Sequence, residues 1–165
     1  MDSRDPASDT TSDPIAEVLG KLPSGCSIVT AGHEGRSTGL LASWIQQASF
    51  EPLLLTVAVK RGRPLVELVE GSGRLVVNLL GSDPKEMFRH FGKGFGPDEP
   101  AFEGLACRET EFGTILEDAL GFLGCTVQFR TEVGDHWLYV AEPVSGSVCV
   151  ESEPYVHIRK SGRSY

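Results

Sequence analysis

At 165 residues, with 40% apolar and 23% charged side chains, the chain has the size and composition of one soluble domain. Its net charge of −8 excludes the broad basic face that nucleic-acid binding requires. Its longest apolar runs, such as Leu53–Val59, fall far short of the ~20 residues of a membrane-spanning helix, so a cytoplasmic location is expected.

The chain opens MDSRDPASDTTSDP, with four Asp and no apolar stretch. It offers almost nothing to bury and lacks the apolar segment of a secretory signal. Residues 1–13 therefore read as a disordered acidic tail, and 14–165 as the domain. Beyond the tail, β-type segments recur between Gly and Pro punctuation, at Gly25–Ala31, Gly39–Trp44, Leu53–Val59 and Arg74–Leu79. Between the last two, Pro64–Glu70 reads as a helix with Pro at its first position and Gly71 at its end. Pro84–Phe91 reads as a second helix, capped by Asp83 and carrying Met87, Phe88 and Phe91 at helical spacing. Thr110–Leu120 fits either a strand or a short helix. Further strands are predicted at Phe122–Glu132, Trp137–Pro143, Ser145–Val150 and Tyr155–Ile158. Many strands, few helices and no regular β-α alternation predict a mainly β chain, a barrel rather than a doubly wound sheet.

Several stretches fit poorly with a purely structural role. Leu40–Leu55, LLASWIQQASFEPLLL, sets Ala42, Ser43, Trp44, Gln46, Gln47 and Ser49 against an apolar run. Small side chains permit close approach to a flat ligand, and the hydroxyls and amides supply directional hydrogen bonds at its rim. Lys60, Arg61 and Arg63 form a compact basic knot in an acidic protein, suited to a local anion. Gly92–Gly96 reads G-x-G-x-G but follows a helix, so it lacks the strand context of a dinucleotide fingerprint. Gly134-Asp135-His136-Trp137 reads as a hairpin turn, where an Asp–His pair is a common local unit. His33, in AGHEGRSTG, is expected to be exposed, and Asn78 to be a buried amide that satisfies backbone. The four cysteines show neither C-x-x-C nor metal spacing. Cys26, Cys125 and Cys149, set among Ile, Val or Leu, read as buried reduced thiols. No nucleophile motif, P-loop or convincing carboxylate pair is present; Glu117 and Asp118 read as a solvated turn or helix end.

Six segments taken together resemble one family. ASWIQQASFEP at Ala42–Pro52, VAVKRGRPLVEL at Val57–Leu68, LVVNLL at Leu75–Leu80, MFRHFGKGF at Met87–Phe95, GDHWLYVAEPVSG at Gly134–Gly146 and VHIRKSGRSY at Val156–Tyr165 occur in the order found in flavin reductase-like, FMN-binding split-barrel proteins. The chain is most similar to the flavin reductase domain of cyanobacterial-type flavodiiron proteins, without their metallo-β-lactamase-like and flavodoxin-like modules. The resemblance implies a Greek-key split β-barrel with a few short helices that forms a homodimer. It implies FMN, with FAD as the alternative, bound near the subunit interface, and hydride exchange with NADH or NADPH.

On this resemblance, Leu41, Ala42, Ser43, Trp44 and Ile45 match the strand that contacts the flavin ring and ribityl chain, with Gln47 and Ser49 following as polar contacts. Lys60, Arg61 and Arg63 match the phosphate turn. His90 and Phe91 lead into a glycine-rich segment that the family brings over the cofactor. His136 matches a nicotinamide-side contact, with no acid–base role implied. Electrons would pass to free flavin, a monooxygenase partner or another redox acceptor. The alternatives are an electron-transfer flavoprotein reduced by a protein partner and a non-catalytic split barrel holding flavin or haem.

Overall fold

The computed structural model describes residues 13–96 and 98–163. They form two compact units, one comprising residues up to Pro23 together with Ile158 onward, the other Ser24–His157. In chain order the elements are α1 (Pro14–Gly20), β1 (Ser27–His33), β2 (Arg36–Ala42), β3 (Ile45–Phe50), β4 (Leu53–Lys60), α2 (Pro64–Ser72), β5 (Arg74–Leu79), α3 (Lys85–Phe91), β6 (Cys107–Thr110), β7 (Gly113–Leu116), β8 (Gly121–Val133) and β9 (His136–Val148).

The small unit contains α1. The predicted tail lies outside the described residues except for Asp13, whose side chain caps α1 by accepting from the N–H groups of Ile15 and Ala16. Pro14 follows at the first helical position, where its missing N–H costs nothing. Within the same unit Gly162 donates to the Ala16 carbonyl and Arg159 to that of Gly20.

The larger unit is built on one antiparallel seven-stranded sheet in the order β2-β1-β5-β8-β9-β4-β3, the Greek-key split barrel expected. Consecutive strands β2 and β3 occupy its two opposite edges. The main core packs Val29, Val57, Val59, Leu75, Val77 and Tyr139 against Leu65, Leu68 and Val69 of α2. A second cluster joins Ile28, Leu80, Phe91 and Leu116 on the other side. The ambiguous Thr110–Leu120 resolves as the end of β6, a two-residue turn, strand β7 and a further turn, with no helix, and Asn78 anchors the hairpin. The Asn78 amide donates to the carbonyls of Ile28 and Thr114 and accepts from the Leu116 N–H at 2.8 Å.

Several sequence readings are corrected. Ile45–Phe50 is a strand in its own right, and the strand predicted at Gly39–Trp44 runs instead over Arg36–Ala42. Trp137–Pro143 and Ser145–Val150 are one continuous strand, β9, because Val144 is absorbed as a bulge opposite Gly124 and Cys125. Tyr155–Ile158 forms no strand, only an isolated bridge of His157 to Ser24. Helix α2 continues through Gly71 to Ser72, and α3 begins at Lys85 with Pro84, not Asp83, at the cap. His33 is half-buried, with its ring lying where a Gly71 Cβ would stand.

The cysteines divide into two classes. Burial pushes the thiol of Cys26 up to about 11 and that of Cys125 up to about 12. Cys149, expected inside, is exposed, and Cys107 is intermediate. An aromatic disulfide reagent should therefore modify Cys149 first and Cys107 more slowly in the native protein, sparing Cys26 and Cys125. All four cysteines of the chain should react after denaturation. Peptide mapping of the labelled protein checks the order.

Candidate functional site

Three connections in the larger unit converge at one end of the sheet: the β2–β3 link, the β4–α2 turn and the β8–β9 turn. The pairing that brings them together is antiparallel β4 with β9, which sets Lys60 opposite His136. The β4–α2 turn is then fastened to the hairpin by the Arg61 N–H, which donates to the Asp135 carbonyl at 3.0 Å. Gly134 takes a φ of +58°, the left-handed turn that glycine adopts without strain. On the far side, the Trp44 carbonyl accepts from the Ala58 N–H at 3.0 Å, holding the β2–β3 link beside β4.

The side chains at this end form a graded surface. Ala42 and Ser43 are buried, and the Trp44 indole is about a third exposed. The indole meets the His136 ring at a centroid distance of 4.9 Å and an interplanar angle of 44°. His136 is nearly buried, with Nδ1 2.7 Å from Asp135 Oδ1. That hydrogen bond is the main reason the Asp135 carboxyl lies below its ordinary range. Lys60 Nζ stands 3.9 Å from the other Asp135 oxygen.

The two arginines differ. Arg61 is engaged by Glu132 at 2.7 Å, whereas Arg63 has no carboxylate partner among the described residues. Arg63 is the N-cap residue of α2, and no side chain caps that helix start. It lines a small cleft with Thr38, Leu40, Gly94 and Phe95. The Thr38 hydroxyl is buried without a hydrogen-bond partner among the described residues. An unpaired guanidinium, an uncapped helix N-terminus and a buried orphan hydroxyl in one place suit a phosphate. A partly exposed indole beside a nearly buried imidazole suits a flat aromatic ring. The residues therefore fit a flavin that carries a phosphate.

Not every predicted residue joins this cluster. Leu41 packs against the second core cluster and Ile45 against the main one. Gln47 pairs with Leu55 and Ser49 with Leu54, about 17 and about 20 Å of strand away from Lys60. Gln47 instead borders an apolar cavity of about 390 Å³ walled by Ile45, Leu53, Leu55, Val77, Leu79 and Leu123. Phe91 is committed to the core, its ring 2.6 Å from where a Gly39 Cβ would stand. His90 Nε2 lies 2.8 Å from the Ala101 carbonyl, and its ring packs on Phe91 and Phe95. These two residues reach the Arg63 cleft only through Gly39 and Phe95. Sequence reading missed Thr38, which carries no motif of its own, and reached Gly94 and Phe95 only as part of the glycine-rich segment expected over the cofactor. The Asp135–His136 pair read from the hairpin turn is present as a local hydrogen bond.

Residues 19–165 match the flavin reductase like domain, and the chain belongs to that family of flavin oxidoreductases. It is 35% identical over 154 residues to diflavin flavoprotein A 1 of Synechocystis sp., a match covering 92% of this chain and 27% of that protein. The chain thus spans about a quarter of the length of the curated relatives it matches. In fold it is similar to the NADH:FAD oxidoreductase SgcE6 of Streptomyces globisporus (TM-score 0.80, 20% identity, 87% of this chain and 86% of that one). That oxidoreductase is also known in complex with NAD and FAD fragments. A homolog of nitrilotriacetate monooxygenase component B from Mycobacterium thermoresistibile is likewise similar (TM-score 0.78, 27% identity, 89% and 82%). No helix among the described residues is long and apolar enough to cross a membrane.

Proposed function

We propose that the domain binds FMN and accepts hydride from NADH or NADPH, delivering electrons to free flavin, a monooxygenase or another redox acceptor. The observation that carries this reading is the convergence of Trp44, His136, Lys60 and Arg63 at one end of the sheet. Arg63, the uncapped start of α2 and the Thr38 hydroxyl hold the phosphate, with Lys60 adding charge nearby. Ala42 and Ser43 allow close approach, and Trp44 walls the ring. His136 contacts the nicotinamide side. A bound flavin supplies a two-electron carrier that exchanges hydride with a nicotinamide, and the protein supplies position and charge.

The functional unit is a homodimer in the cytoplasm. The apolar cavity beside β3, with Leu53 52% exposed at its edge and Phe50, paired with it, 84% exposed, supports a partner subunit on that face. Similarity to one quarter of a longer flavoprotein favours a second reading, in which a protein donor reduces the flavin.

One experiment separates the two. The protein, purified yellow or loaded with FMN, is mixed anaerobically with NADH and with NADPH while its visible absorbance is followed. Rapid bleaching by either nucleotide is expected. Tight FMN with no bleaching transfers the assignment to the protein-reduced carrier, and failure to retain FMN at all overturns both.

A further inference from the structure

Strand β2 links the phosphate cleft to a second, wider one. Ala42 ends the strand beside Trp44, and Thr38, Gly39 and Leu40 wall the small cleft that Arg63 lines. The Thr38 hydroxyl in that wall is 2% exposed and has no hydrogen-bond partner among the described residues. Further in the same direction, Ser37, Arg36 and Gly35 line a cleft of about 480 Å³. At about 3.3 Å per strand residue, Arg36 lies roughly 7 Å beyond Thr38. A group carried past the phosphate along β2 enters this space.

The wider cleft is acidic. Asp98, Glu99, Glu103 and Glu109 line it, and the cation in its wall, Arg36, already binds Glu67 at 2.7 Å. The backbone bearing the first three acids is pinned. Ala101 is buried with its carbonyl 2.8 Å from His90 Nε2, and Glu99 takes the Gly96 N–H at 2.6 Å. A cleft lined by one sign of charge concentrates its field on whatever enters. A terminal phosphate brings about two negative charges to Arg63. A dinucleotide divides that charge between two phosphates, one at Arg63 and one moving toward the carboxylates. Ribose hydroxyls can donate to one such acid, but four acids beside an engaged guanidinium leave the second phosphate uncompensated. We infer that this acidic wall makes the domain selective for a flavin monophosphate, by repelling the distal phosphate of a flavin dinucleotide. The inference rests on the flavin reading above. Its specificity comes from a repulsive element, set beside the attractive one at Arg63.

Calorimetric titration of the full chain, freed of flavin, with FMN and with FAD at low ionic strength reads the ratio of the two affinities. Wild type should bind FMN about tenfold more tightly than FAD, or better. Asp98 and Glu103 are the acids to change, because their side chains make no hydrogen bond among the described residues. Glu99 holds the Gly96 N–H, and Glu109 accepts from the Thr114 hydroxyl at 2.8 Å. D98N/E103Q should strengthen FAD and cut the ratio about threefold, and the charge reversal D98K/E103K should cut it about tenfold, with FMN moving less than FAD in both. Salt at about 1 M, which shortens the screening length to about 3 Å, should shrink the ratio of wild type more than that of D98N/E103Q. Wild type that binds FAD as tightly as FMN overturns the proposal, as does a ratio that both variants leave unchanged or a parallel weakening of both flavins. Wild type that binds neither flavin overturns the functional reading itself, and the proposal with it.

Discussion

Arg63→Ala is expected to weaken FMN by about tenfold or more while changing riboflavin little, because a charge-assisted hydrogen bond contributes roughly 1.5–3 kcal/mol and only FMN carries the phosphate. Arg61→Ala should cost less. Arg61 already faces Glu132 at 2.7 Å, and an incoming phosphate must compete with that carboxylate. The Arg61–Glu132 pair is itself about half exposed on each side, so its contribution to stability is small and its loss should not unfold the protein. Arg63 has no such competitor among the described residues and stands at an uncapped helix start. Replacing both arginines should therefore give a loss close to that of Arg63 alone, plus a minor increment. Fluorescence titrations of FMN and riboflavin against the three variants check the order. Equal weakening of both flavins would remove the phosphate from this turn.

The contrast between the arginines shows which parts of the site a sequence can expose. VKRGRP marked a cationic turn, and GDHW marked a hairpin, because charge clusters and turn residues are local signals. What brought them together is the register Lys60 opposite His136, separated by 76 positions in the chain, and nothing local encodes that. The division of labour between Arg61 and Arg63 was hidden for the same reason, since Glu132 arrives from the far end of β8. The edge strand β3 escaped recognition because IQQASF has no buried face to impose alternation: none of its residues is fully buried. That same exposure makes Gln47 and Ser49 resemble ligand contacts, although the strand carries them away from Lys60. The sequence reading ended one strand at Pro143 and began another at Ser145. A bulge at Val144 lets β9 run through both. The core strands around Val57 and Val77 were legible because continuous apolar runs bounded by Gly and Pro have few other uses.

Asn78 was read from sequence as a buried amide that satisfies backbone, and its replacement should give the largest loss of stability. The side chain is fully buried and makes three hydrogen bonds that tie β1 and β5 to the β6–β7 hairpin. Thr114 keeps a second donor in the Thr30 hydroxyl at 2.6 Å, so its carbonyl is not orphaned by Asn78→Ala. The Leu116 N–H loses the acceptor that held it at 2.8 Å, and an unpaired buried donor together with the lost amide bonds costs about 3 kcal/mol. Urea unfolding should show a lower midpoint at an unchanged slope. Asn78→Asp should be worse near neutral pH. It preserves the acceptor for Leu116 but turns a carboxylate toward the carbonyls of Ile28 and Thr114, with no donor between them. Burial and those carbonyls raise the carboxyl's folded-state pKa above its unfolded value of about 3.9. The protonated acid, able to donate to one carbonyl, is thus the form that the fold favours. Its contribution is present below the unfolded pKa and is lost as pH rises through the folded one. The deficit of Asn78→Asp relative to wild type should accordingly shrink on acidification, while that of Asn78→Ala stays level. Parallel slopes for the two variants would mean that the amide's donor pair contributes nothing, and that the hairpin is held by its apolar contacts alone.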